Sequence, residues 1–571
     1  MKLSRRTLIG ATAALGAAGI GLQSYRSRAS ELPRVDAPPA RAGAHNVLFI
    51  LTDQERSWAQ LPADFIDRHC PNRAWLRDRA LQIQHANTTS QLCSMARATI
   101  YTGVHAHHTG VWENTPLPYS EGLRRDVPTL GSVFQDGGYF TGYVGKWHLT
   151  HMQNETVAKD ADRVRPWVRS FGFDEALLDG DADGAYAGQQ LDATIAGRVV
   201  DFMQRQRLGT APWMLAVNLV NPHDVMYYTS GENMTRSRVT QFPDQSARPP
   251  ETPFYQKDLG YPVFGTWGPA SRDGKPRAVQ EYSRTMDEAL GHMPYDNEAV
   301  AREFQNYYFN CIRDSDRQLG VLIEGLRQSG QLDHTLIVFT SDHGEFLGAH
   351  GLRGKGSSIY REASEVPLLI VHPDGPRGRS VASLSSAADL LPTLLGLAGL
   401  DTRHYFEQLP KLGGMDLSGL LSHPQDPGPR DEAGILAYWT GLTFLNHENV
   451  RRFDEIQKRP PGIRQVAMLQ MMRETIREQR GAMRGLITQR YKFARYFKPT
   501  EHQSPDNWEA LVAANDLELY DLHADPREIT NLAAMKEHRD TVLRLNAQLN
   551  QRIAREIGVD DGRFLPIYMR A

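Results

Sequence analysis

Val47-Leu-Phe-Ile-Leu51, followed at once by Thr52-Asp53-Gln54, decides the fold of this chain. Five consecutive apolar residues are too few for a helix, and they do not alternate with polar ones. A run of this kind, bounded by polar residues, predicts a strand covered on both faces. Tyr139-Phe-Thr-Gly-Tyr-Val144, Met214-Leu-Ala-Val-Asn-Leu-Val220, Leu336-Ile-Val-Phe339 and Val366-Pro-Leu-Leu-Ile-Val371 follow the same pattern. Helix-like stretches such as residues 304–326 and 387–398 lie between them. The alternation predicts an α/β fold with a large, mostly parallel sheet sandwiched by helices.

Further out, residues 225–298 are rich in Pro, Gly, Arg and Asp with little periodicity, and predict a rim insertion of loops. From residue 431 the pattern changes. Residues 465–480 predict a long amphipathic helix, 484–493 a hairpin and 518–522 a short strand, so a smaller C-terminal α+β domain is expected over 431–571. The catalytic α/β domain is then 41–430. Residues 1–40 read as an export signal and linker: Ser4-Arg5-Arg6-Thr7-Leu8-Ile9 leads into an uncharged stretch rich in Ala and Gly, similar to a twin-arginine signal. A periplasmic or secreted protein, exported by the twin-arginine machinery, is the expectation.

At 571 residues with 40% apolar and 23% charged side chains, the chain is long enough for a sizeable core. A net charge of -3 offers no global basic field, so nucleic acid is not an expected partner. Three widely spaced cysteines, Cys70, Cys93 and Cys311, make no disulfide framework and no zinc spacing. Cys70 and Cys311 read as small buried apolar residues.

In an open α/β sheet, ligands bind beyond the carboxyl ends of the strands. Those positions carry Asp53 and Gln54, then Lys146 and His148, then His223, then Asp342 and His343. Asp53, Asp342 and the amide oxygen of Gln54 are hard donors suited to a divalent cation such as Ca2+ or Mg2+, and His343 adds a nitrogen that moves the preference toward Mn2+. Lys146, with Lys355 in Gly354-Lys-Gly356, can bind an oxyanion. His148 and His223 are candidates for proton transfer near neutral pH. Cys93 opens Cys93-Ser-Met-Ala-Arg-Ala-Thr-Ile-Tyr-Thr-Gly103, a stretch of helix formers ending in Gly, so it is placed near a helix N-terminus with Arg97 on the same face.

These stretches resemble the type I, formylglycine-dependent sulfatases of the alkaline phosphatase superfamily. Asn46-Val-Leu-Phe-Ile-Leu-Thr-Asp-Gln54 looks like the first metal-ligand strand, Cys93-Ser-Met-Ala-Arg97 like the nucleophile motif, and Gly145-Lys-Trp-His-Leu149 like the second signature. Asn221-Pro-His223, Ser341-Asp-His-Gly344 and His350-Gly-Leu-Arg-Gly-Lys355 complete the set. The resemblance implies a sulfuric ester hydrolase, arylsulfatase-like or choline-sulfatase-like, with Cys93 converted to 3-oxoalanine (formylglycine) by a maturation enzyme. The aldehyde hydrate supplies the attacking oxygen. One divalent metal, Ca2+ before Mg2+ or Mn2+, is held by Asp53, Gln54, Asp342 and His343. Arg97 holds the hydrate as its alkoxide, Lys146 and Lys355 neutralise charge on the sulfuryl group, His223 aids the leaving alcohol, and His148 helps expel sulfate and restore the aldehyde. The substrate is a small-molecule or glycan sulfate ester. Two other readings remain: a phosphonate monoester or phosphodiester hydrolase of the same superfamily, and a weakly active sulfate-ester-binding protein in which Cys93 stays a thiol, since Met95 departs from the usual motif.

Overall fold

The computed structural model describes residues 44–115, 122–150, 166–178, 184–206, 211–230, 247–268, 274–356, 358–409, 412–439, 446–563 and 565. The layering of the fold follows from the side-chain alternation of its central strands. In β1 (Asn46–Asp53) every residue is buried. Val47, Phe49 and Leu51 enter one apolar cluster and Leu48 and Ile50 another. β5 (Trp213–Pro222) divides likewise, with Met214 and Ala216 on the first face and Leu215 and Val217 on the second. So does β6 (Thr335–Ser341), with Leu336 and Val338 against Ile337 and Phe339. A strand with period 2 and no polar face needs cover on both sides. The Cys93–Thr102 and Leu390–Leu397 helices contribute to the first cluster, and the Ala187–Arg205 and Glu298–Gln328 helices to the second.

The remaining strands are β2 (Leu81–Asn87), β3 (Phe140–Gly145), β4 (Glu175–Leu178), β7 (Leu368–Val371) and β8 (Arg379–Ser386), giving the order β4-β3-β5-β1-β6-β7-β2-β8. The sheet is mostly parallel, as expected. The exception is β7, antiparallel to both β6 and β2. It begins at Leu368, so Val366-Pro367 lies outside the strand. Sequence patterning does not single out β2, β4 or β8. They lie toward the two edges of the sheet, β4 is four residues long, and β8 leaves several side chains exposed, so none carries a continuous apolar run.

A second, antiparallel sheet is built from β9 (Ile435–Trp439), β10 (Ala482–Ile487), β11 (Tyr491–Phe497) and β12 (Asp516–Asp521) in the order β12-β11-β10-β9. β10 and β11 form the expected hairpin, and the helix expected over 465–480 runs from Pro461 to Glu478. Leu436, Leu486, Phe493 and Leu519 join the cluster that holds Phe49, so the two sheets share a core. Segment 225–298 is not all loop. It contains the Arg277–Leu290 helix, whose Ala278, Val279, Tyr282, Met286, Ala289 and Leu290 are buried as one stripe. Residues 231–246 and 269–273 of that segment, and the 1–40 signal, lie outside the described residues. Among the described residues no helix is long and apolar enough to cross a membrane.

Burying each large side chain of β1, β5 and β6 contributes roughly 1.5–3 kcal/mol. Leu215 is fully buried, and its Cδ1 approaches to 2.6 Å of where a Cβ on Gly142 would stand, so packing here is tight. Leu215→Ala is expected to lower stability by about 2–5 kcal/mol. In urea denaturation this appears as a lower midpoint with an unchanged slope.

Candidate active site

The carboxyl ends of the central strands carry the site. β1 and β6 pair in parallel with Thr52 opposite Ser341, so the next residues, Asp53 and Asp342, emerge side by side. Both are fully buried. Two carboxylates in an apolar interior demand cations, and the neighbouring elements deliver them. Arg97, one turn into the Cys93–Thr102 helix, spans the pair: Nη2 donates to Asp53 Oδ2 at 3.2 Å and Nε to Asp342 Oδ2 at 3.0 Å. Lys146, just after β3, places Nζ 2.9 Å from Asp53 Oδ2. Lys355 Nζ is 3.8 Å from Asp53 Oδ1 and donates to Gln54 Oε1 at 2.6 Å.

Gln54 and His148 hold left-handed backbone, with φ of 72° and 54°. Such strain costs about 1–3 kcal/mol per residue and persists only where the surroundings fix it. At Gln54 they do: its N–H donates to Asp342 Oδ1 at 3.1 Å, its carbonyl accepts from Tyr308 OH at 3.0 Å, and its amide Nε2 donates to Glu345. That last bond turns the amide oxygen toward Lys355 and the carboxylates. Gly145 (φ 99°) allows β3 to turn into Lys146, because a Cβ there would lie 2.1 Å from the Asn218 carbonyl oxygen.

Cys93 is the first residue of its helix, which stops at Gly103 in the left-handed conformation. Its Sγ lies 3.8 Å from Asp53 Oδ1 and 3.3 Å from His343 Nε2. The other His343 nitrogen, Nδ1, is 3.0 Å from the Gly344 carbonyl, so it carries the proton and Nε2 presents a lone pair to the site. One ligand atom from each of Asp53, Cys93, Asp342 and His343 lies within 4.8 Å of the others. Leaving the Cys93 thiol aside and adding the amide oxygen of Gln54, Asp53, Asp342 and His343 make a donor set of two carboxylates, an imidazole and an amide. It fits a divalent cation, whose charge would relieve the repulsion of the carboxylate pair. Met95, two residues from Cys93, turns away into the apolar cluster beneath the sheet.

Burial alone raises the Asp53 carboxyl, but Lys146, His223, Lys355 and Arg97 outweigh it and hold it well below the usual range. Burial, then the Asp53 charge, raises Asp342. Burial and Asp53 push the Cys93 thiol up to about 12, against the pull of the two lysines. His148 and His223 are both buried, and desolvation followed by the Lys146 charge lowers each well below the ordinary imidazole value. Neither His148 ring nitrogen has a hydrogen-bond partner among the described residues. Buried, unpaired imidazole nitrogens beside a cationic pocket are suited to groups brought in by a ligand.

The structure thus brings together Asp53, Gln54, Cys93, Arg97, Lys146, Asp342, His343 and Lys355 by direct contact. His148 and His223 feel the charges of the same lysines. Sequence reading overlooks the residues that hold these in place. Asn218 Oδ1 accepts from Arg97 Nη1 at 3.0 Å and from Tyr101 OH at 2.8 Å. Tyr143 OH donates to the Lys146 carbonyl at 2.6 Å. Glu345 fixes the Gln54 amide and accepts from the Leu347 and Gly354 N–H groups at 2.9 and 2.7 Å, anchoring the loop that leads to Lys355. Asn218 leaves a signal, as a polar residue inside the apolar run of β5. Glu345 follows the Asp342-His343-Gly344 triplet and offers none by pattern.

Comparison with known proteins agrees with this arrangement. The chain is 27% identical over 381 residues to the uncharacterized sulfatase YidJ of Escherichia coli K12, covering 62% of this chain and 68% of that protein. It is 28% identical over 328 residues to arylsulfatase K of Bos taurus, 55% of each chain, so the match spans about half of that relative's length. Among solved structures, BT1596, a 2-O GAG sulfatase, superposes with a TM-score of 0.64 at 19% identity, covering 90% of this chain and 92% of that one. The phosphonate monoester hydrolase of Agrobacterium radiobacter does so at 0.60 and 21%, covering 90% and 96%. These two show a shared fold. The family model described as Sulfatase matches residues 45–400, from the residue before β1 to beyond the Leu390–Leu397 helix, and with well over half of its length matched the chain belongs to the sulfatase family.

Proposed function

We propose that this protein hydrolyses sulfate esters with residue 93, as formylglycine, at the point of attack. The observation that carries the reading is the position of Cys93: first in its helix, 3.3 Å from His343 Nε2, with Arg97 one turn on and bonded to both carboxylates. Oxidised to the aldehyde and hydrated, the residue supplies an oxygen nucleophile there. A divalent cation held by Asp53, Gln54, Asp342 and His343, with Ca2+ the best match to the oxygen donors, supplies Lewis acidity toward that oxygen and the sulfate oxygens.

The chain's own residues do the rest. Lys146 and Lys355 flank Asp53 and stand ready for the negative oxygens of the substrate, whose charge grows in the transition state. Arg97, fixed by Asn218, keeps its guanidinium beside residue 93. His148, held neutral by burial and then by the Lys146 charge, keeps a ring lone pair that can take up a proton once bound sulfate offsets the lysine field. His223 is lowered by burial and then by the same lysines, and an anionic ester bound beside it opposes the lysine field and favours its protonated form, as a donor to the leaving alcohol requires. Met95 packs into the core, so its role after folding is to fill space; its effect on maturation is read only on the unfolded segment. Export through the twin-arginine route, after modification in the cytoplasm, goes with Arg5-Arg6.

Three outcomes are expected. In a host with a formylglycine-generating enzyme, the peptide containing Cys93 shows a mass loss matching thiol-to-aldehyde conversion, and the purified protein turns over an aryl sulfate faster than the matched aryl phosphonate. An intact thiol in folded, active protein, or a preference for the phosphonate, overturns the reading. Lys146→Ala lowers kcat by about 100- to 1000-fold, measured on the aryl sulfate with the fold checked by circular dichroism. Chelation with EDTA lowers both activity and the melting temperature, and Ca2+ restores both; the thermal shift follows because an ion bound only to the folded state stabilises it.

A further inference from the structure

Lys355 lies in a loop, outside the strands and helices, yet its ammonium stands beside Asp53 and Gln54. A lysine stem is long and rotates freely, so a fixed ammonium needs a fixed backbone beneath it. That backbone is held from the 225–298 segment. Tyr282, in the Arg277–Leu290 helix, sets its hydroxyl against both peptide groups of Lys355. The hydroxyl oxygen accepts from the Lys355 N–H at 3.1 Å, and the hydroxyl donates to the Lys355 carbonyl. Burial, then the Glu345 charge, raises the Tyr282 hydroxyl above its ordinary value, so it stays protonated and keeps this donor role near neutral pH.

The surroundings fix Tyr282 in turn. Its ring is buried in one apolar cluster with Val279, Met286, Phe346 and Trp439. A Cβ on Gly356 would lie 2.8 Å from Tyr282 Cε2 and 2.8 Å from Trp439 Cη2, so glycine after Lys355 is what lets the ring reach the loop. The same helix grips the loop on either side of the hydroxyl. Ser283 Oγ donates to the Gly351 carbonyl at 3.0 Å, and Arg353 Nη2 donates to the Met286 carbonyl at 2.7 Å. Across the loop, Gln91 Oε1 accepts from the Gly356 N–H at 3.3 Å, two residues before Cys93 in the chain. The residues flanking Lys355 are therefore tied to Glu345 and Gln91, and Lys355 itself to Tyr282.

We propose that Tyr282 is the positioning residue of Lys355: by holding both peptide groups it fixes the ammonium that meets the sulfuryl oxygens, and it joins the rim segment to the chemistry. The inference rests on the role of Lys355 in sulfate-ester hydrolysis.

The test uses Tyr282→Phe, which keeps the ring and removes the hydroxyl, beside Lys355→Ala and the double variant, each as the full chain carrying formylglycine. On an aryl sulfate, Tyr282→Phe is expected to lower kcat by about 10- to 100-fold, with KM within about 2-fold of wild type. Added to Lys355→Ala it costs nothing further, because a group that acts through Lys355 has nothing left to position. A merely structural role costs the same in both backgrounds. Hydrogen exchange needs no turnover: the Lys355 amide, followed by mass spectrometry, exchanges at least about 10-fold faster in Tyr282→Phe. Unchanged exchange, an unchanged kcat, or an equal further loss in the Lys355→Ala background overturns the proposal. Absence of sulfate-ester turnover in wild type sinks the sulfatase reading instead, and exchange at Lys355 then decides on Tyr282 by itself.

Discussion

Asp53 and Asp342 emerge next to each other from two neighbouring parallel strands, and both are fully buried. Everything around them answers that constraint. Removing a carboxylate from water costs several kcal/mol even after relaxation, and two side by side add mutual repulsion. Arg97, Lys146 and Lys355 arrive from three separate segments to meet them. With the buried Glu345 carboxylate beside Gln54, three cations stand against three carboxylates, so the charges are formally balanced within the protein before any metal is counted.

The fold makes this concentration of charge sustainable. β1, β5 and β6 are apolar on both faces, and the helices on either side keep them dry. The strands are then stiff rails whose ends cannot shift without disturbing both clusters. On those ends the strained backbone of Gln54 and His148 is held; Tyr143 and Tyr308 bond the carbonyls of Lys146 and Gln54, and Asn218 and Glu345 bond the side chains of Arg97 and Gln54. Preorganisation of this kind costs stability at the site and is offset by the core beneath it. The same rigidity reaches the far end of β1, where His45, just before β1, meets Asp374, just after β7.

Much of this is legible in the order of amino acids. The continuous apolar runs identify the central strands because burial on both faces leaves no room for polar alternation. The residues after each run identify the site because parallel strands bring their carboxyl ends to one edge. The edge strands β4 and β8 are not legible, since half-exposed strands carry weak patterns. The Arg277–Leu290 helix hides within a Pro- and Gly-rich segment, although its apolar stripe has helical spacing. The antiparallel course of β7 is hidden too. An apolar run has no direction, and only the connection between β6 and β7 reverses it.

The sequence by itself determined the α/β class, the central strands and the group of chemically active residues, because each rests on local periodicity or on position next to a strand. Tertiary structure alone decided the pairing of those residues. The lone pair that His343 turns toward Cys93 depends on the Gly344 carbonyl. The bridge of Arg97 across both carboxylates depends on Asn218, 121 positions away in the chain. The meeting of His45 with Asp374 spans 329 positions. Contacts at such separations follow from strand order and register, which are set by the packing of the whole sheet and by no local stretch of sequence.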